Sequence, residues 1–112
     1  MNNSNFIYGI IKEGNYDYIT LMDPDDYYLI STKLGESVEF MDTHPNHSMC
    51  FHKMIICDED GIPKEPYRFI PGGHIPVKKE YTFDDLLVRS NFIGDSGAFY
   101  RMKWFNGIPD YW

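Results

Sequence analysis

Apolar side chains along this sequence gather in short runs separated by turn-forming residues, and the spacing within each run predicts its element. Residues 6–12, FIYGIIK, are β-branched and aromatic up to the turn signal EGN. YDYITLM over 16–22 resumes the pattern, so the two predict a hairpin. Asp23-Pro24-Asp25-Asp26 admits either a helix N-terminus with Pro at its first position or a loop before a strand from Tyr27. Tyr27, Tyr28, Ile30 and Thr32 favour a pleated surface, and Gly35 arrives before a helix repays its nucleation, so the strand is the expectation. SVEFMD then alternates Val38 and Phe40 with polar neighbours, as a half-buried strand does, and MCFHKMIIC over 49–57 adds a fifth strand before the turn DEDGIP.

Beyond Gly61 the prolines at 63, 66, 71 and 76 and the pair Gly72-Gly73 prohibit a long helix and leave YRFI, 67–70, as a short edge strand. A helix is expected over 82–93. Thr82 and Asp85 have capping-box spacing, Tyr81 and Leu86 that of a hydrophobic staple, and Gly94 can terminate it. AFYRMKWF predicts a terminal strand over 98–105, followed by an aromatic tail ending at Trp112. The expected fold is therefore mainly β: a small OB-like or SH3-like barrel with one C-terminal α-helix and a final strand. It forms a single domain over 1–112, as the chain length suggests, with an OB-like β-meander over 6–60 and a Pro/Gly-rich wrap over 61–112.

Gly14, Tyr16, Tyr18 and Ile19, then Tyr27, Tyr28 and Leu29, then Gly35, Val38 and Phe40 stand in an order that resembles the cold-shock domain, a five-stranded OB barrel. The resemblance covers about half of the chain and takes Asn15 as an insertion. It implies single-stranded nucleic-acid binding through aromatic side chains on the second and third strands. Asp17 stands where the family has a glycine, Glu13 where it has a lysine, and Ser31 or Ile30 where it has a histidine. These differences remove the positive charge such a ligand requires.

Charge alters the functional expectation. The net charge is −7, and residues 1–60 carry three lysines against eleven carboxylates, a balance of −8. Such a field repels phosphate backbones and attracts basic partners. The expected function is thus a non-enzymatic acidic interaction protein docking on a basic surface of a nucleic-acid-handling protein. A composition with one alanine and no glutamine points to an AT-rich coding sequence, as in many phages, and by analogy with small acidic proteins of mobile elements the expected role is that of an inhibitor. Binding of single-stranded nucleic acid is the alternative. The partner-binding candidates are Asp17, Asp25, Asp26, Tyr16, Tyr27, Trp104 and Trp112, because aromatic side chains dominate interface energetics. No apolar run approaches the roughly 20 residues that span a bilayer. The start, MNNSNF, has no signal-peptide pattern, so a cytoplasmic location without membrane association is expected.

Other chemistry is weaker. His44, His47, Cys50, His52 and Cys57 are nitrogen and sulfur donors of the kind zinc takes, but their spacing matches no paired ligand framework. Loop histidines beside a buried cysteine are the expectation, with no metal or cofactor. Cys50 with His52 or His74 has no accompanying oxyanion or orienting group in the sequence. DPDD and DEDG read as solvated turns, because neither continues into a calcium loop. IPGGHIP has no helix after it on which to seat a phosphate.

Overall fold

A computed structural model of the chain describes residues 9–63, 78–89 and 93–104. The described chain opens in a helical segment, 9–13 (α1), and continues through β1 (Tyr18–Thr20), α2 (Lys33–Thr43), β2 (Met49–Phe51) and α3 (Phe83–Arg89). A 3-10 turn (Asp95–Gly97) leads into β3 (Ala98–Arg101), and a second (Met102–Trp104) follows it. The described strands form one three-stranded sheet in the order β1-β3-β2. β1 and β3 run antiparallel, with Tyr18 opposite Arg101 and Thr20 opposite Phe99. On the other side of β3, Arg101 N–H donates to Ser48 O at 2.9 Å and His52 N–H to Gly97 O at 3.1 Å, again an antiparallel sense.

This architecture overturns the expected barrel. The sheet is open and its strands are short, so the fold is neither mainly β nor OB-like or SH3-like. The hairpin of 6–12 with 16–22 does not form, because residues 9–13 are helical and only 18–20 pair as a strand. Tyr27–Thr32 is not a strand, and the expected strand SVEFMD lies inside α2. The inward positions of that segment are Ser37 and Met41, whereas Glu39, which alternation would place on the same face, is exposed together with Val38 and Phe40. Burial therefore follows the helical period and not the alternating one. Gly35 sits within the first turn of α2, where it costs about 1 kcal/mol relative to alanine. The burial of Met41 and local bonds offset it: Thr32 Oγ1 donates to Glu36 Oε1 at 2.6 Å, and Ser37 Oγ to Lys33 O at 3.0 Å. The expected strand 67–70 and the aromatic tail lie outside the described residues.

The chain divides into two compact units, one of residues 1–21, 27–50 and 99–112 and one of residues 22–26 and 51–98. In the first, Met41 is fully buried, Phe99 is buried, and the Tyr18 and Phe99 rings meet at 5.2 Å. In the second, Ser96 and Ala98 are buried and Phe51 meets Tyr81 at 5.4 Å. Helix α3 begins where its cap predicts, since Thr82 N–H donates to Asp85 Oδ2 at 2.9 Å and Asp85 N–H to Thr82 O at 3.1 Å. The turn DEDG is built on Asp58, whose Oδ1 accepts from the N–H groups of Asp60 and Ile62, with Gly61 supplying a φ of 76°.

Candidate functional site

A side chain that joins several elements of the first unit is Arg101, which β3 places at the C-terminal end of α2. Its Nε donates to His47 O at 3.0 Å, and its Nη2 donates to His44 O at 3.2 Å and to Met41 O. Met41 O and His44 O also accept from the N–H groups of His44 and His47, at 3.2 and 3.0 Å, and the partial negative charge of a helix C-terminus suits the forked cation that joins them. Nη1 donates to Tyr18 Oη at 3.2 Å, and the guanidinium lies 5.3 Å from the centre of the Tyr18 ring. Tyr18 Oη in turn donates to Asp42 Oδ1. That bond to Asp42, followed by desolvation, holds the phenol above its ordinary 10.0, although Arg101 pulls it down. The cluster ties α2 to the β1–β3 pair. It was not legible in the sequence, because its members are separated by up to 83 positions.

Around this frame the unit leaves large side chains in solvent. Tyr16 and Trp104 are each 57% exposed, and Tyr27 is exposed as well. The Tyr16 ring lies against the backbone of Gly14, where any β-carbon would displace it. Lys103 Nζ sits 4.9 Å from the centre of a Trp104 ring and donates to Pro45 O at 3.4 Å. Asp17 is exposed, with its carbonyl accepting from Met102 N–H at 2.9 Å. On α2, Leu34 is 46% and Val38 37% exposed, beside the exposed carboxylates Glu36, Glu39 and Asp42. The i,i+4 spacing of Leu34 and Val38 is the signal that a strand reading hides.

Asp25 and Asp26 belong to the second unit. They lie on a tight turn after β1, closed by Asp26 N–H donating to Asp23 O at 3.0 Å. Asp23 N–H donates to Oγ of the buried Ser96 at 2.9 Å, so a side chain 73 positions away pins the turn. Of the expected partner-binding residues, Tyr16, Asp17, Tyr27 and Trp104 thus share one unit, Asp25 and Asp26 the other, and Trp112 lies outside the described residues.

The histidines and cysteines are likewise divided: His44, His47 and Cys50 lie in the first unit, His52 and Cys57 in the second. His44 stacks on Phe40 at 4.1 Å, and His47 meets His44 edge-on at 5.3 Å. His44 Nδ1 lies 2.8 Å from Phe40 O and 3.0 Å from Thr43 Oγ1. Cys50 is half-buried, and burial pushes its thiol up against the opposing influence of Lys33 and Ser37. Neither cysteine is in a disulfide. Among the described residues, no group of three or more His, Cys, Asp or Glu side chains is placed to hold a metal ion. Nor is any helix among them long and apolar enough to cross a membrane.

Known proteins resemble this chain in sequence without revealing an activity. An uncharacterized protein of Mycobacterium bovis is 30% identical over 94 residues, or 84% of this chain. Uncharacterized proteins of two Mycobacterium tuberculosis strains match to the same extent. The chain spans about a quarter of the length of these curated relatives. No protein-family profile and no solved structure matches it.

Proposed function

We propose that this chain is an acidic interaction module of the cytoplasm, which docks through its first unit on a basic surface of another protein. The observation that supports this is the exposure of Tyr16, Tyr27, Trp104, Leu34 and Val38 within one unit that also displays Asp17, Glu36, Glu39 and Asp42. Aromatic and apolar anchors inside a charged rim are the composition of an interface, and the net charge of −7 selects the sign of the partner. A nucleic-acid-handling protein presents such a basic surface. Single-stranded nucleic acid itself is the poorer partner. Tyr16 and Tyr27 both lie outside the described strands, and exposed carboxylates oppose phosphate approach. The test is affinity capture with the whole chain immobilised, at salt on the order of 0.05 M and 1 M. A basic protein retained at low salt, and lost when Tyr16→Ala and Trp104→Ala are combined, is the expected result. Retention identical for both chains, or none at either salt, refutes the reading.

A further inference from the structure

The interaction reading names a unit but no contact element. We infer that α2 is that element and that its partner segment is a basic amphipathic helix lying along it. This rests on the interaction reading above and makes it specific. α2 is 11 residues long, about 16 Å, and buries only Ser37 and Met41. Leu34, Val38 and Asp42 follow one another at intervals of four and so form a ridge on its surface. The adjacent row is Gly35, Glu39 and Thr43. Apart from its two chain neighbours and the backbone of its own helix, nothing lies within 4 Å of where a β-carbon on Gly35 would stand, so the row opens into a notch beside Leu34 and Val38. A ridge flanked by a notch is what another helix packs against, since the side chains of one enter the grooves of the other.

Charge decides which helix. Glu36, Glu39 and Asp42 are exposed, and the last turn of α2 has no basic residue. Arg101 occupies the C-terminal carbonyls of the helix, so the negative charge a partner would meet is that of the side-chain carboxylates. A partner with apolar side chains at i and i+4 would cover Leu34 and Val38, and lysines or arginines flanking them would meet Glu39 and Asp42. A strand spaces its same-face side chains about 6.7 Å apart, near the roughly 6 Å of the ridge, but it offers one flat row with no groove to receive Leu34 and Val38.

The experiment uses two fluorescein-labelled peptides of 14 residues and identical Leu/Lys composition, one with leucines at helical spacing and one strictly alternating. Each is titrated with the whole chain and followed by anisotropy. The helical-period peptide should bind about tenfold more tightly than the alternating one, and Leu34→Ala with Val38→Ala should weaken it about tenfold. Glu39→Lys should weaken it by about fivefold, an effect that shrinks with added salt. Leu34 and Val38 are exposed, so circular dichroism of these variants should match the parent. Phe83→Ala, on α3, should change nothing. Equal binding of the two peptides, or indifference to the α2 variants, overturns the inference. If Tyr16→Ala and Trp104→Ala then abolish binding, the interaction reading stands without it. If neither peptide binds and affinity capture also retains nothing, the reading itself falls.

Discussion

Arg101 is the residue on which the first unit most depends, because one side chain serves three carbonyls and a phenol. The carbonyls of Met41 and His44 already accept from the N–H groups of His44 and His47, at 3.2 and 3.0 Å, so Arg101 brings each a second, charged donor and adds one to His47 O. Lysine carries the same charge but not the fork, so it cannot address carbonyls that diverge from one another. Arg101→Met should therefore lower stability by about 2 kcal/mol, chiefly through the loss of charged hydrogen bonds to part-buried carbonyls. Arg101→Lys should recover less than half of that. Urea denaturation measures both, and a loss below about 0.5 kcal/mol for Arg101→Met would show that water replaces the guanidinium. Tyr18→Phe should lose less, because it leaves the three carbonyl bonds in place. Sequence reading located Arg101 in a terminal strand and gave it no task. Its partners stand 54 to 83 positions away, and no local pattern encodes them.

At the scale of elements, what could be read was what is determined locally. The cap of α3 was legible in Thr82 and Asp85 because both partners lie within one turn. The Asp85 carboxyl titrates below its ordinary 3.8, through its bond to Lys78 first and the Thr82 N–H second. Its contribution is therefore present above that ordinary value and lost as the pH falls through the depressed one. The Asp58–Gly61 turn was legible for the same reason, a side chain bonding to backbone two and four residues on. α2 was not. Val38 and Phe40 alternate as a strand would, and Gly35 argues locally against a helix, yet the choice is made by Met41 meeting the rest of its unit. Packing overrode propensity there, and the mistaken strand also concealed the ridge of Leu34 and Val38. β3 presents the related difficulty of order. It comes last of the three strands in sequence yet lies between the other two, so the sheet cannot be inferred by pairing neighbours in turn.

For the whole molecule the question is how much apolar surface folding removes from water. Among the described residues the buried hydrophobic side chains are Met41, Ala98 and Phe99, while Leu34, Val38, Phe83, Leu87 and Val88 stand in solvent. Phe83 and Leu87 lie four apart on α3, so each of the two units displays an apolar helix face. The heat capacity of unfolding reports this directly, since newly hydrated apolar area raises it and area already wet contributes nothing. A fully packed chain of this length should show about 1.3 to 1.7 kcal/mol/K. The isolated chain should fall below that range in differential scanning calorimetry. Addition of the helical-period peptide should raise the midpoint and give a negative heat-capacity change of binding, as covering apolar surface requires. A value inside the range for the chain alone would mean that these side chains are already sheltered, and that the interaction surface must be sought away from both helices.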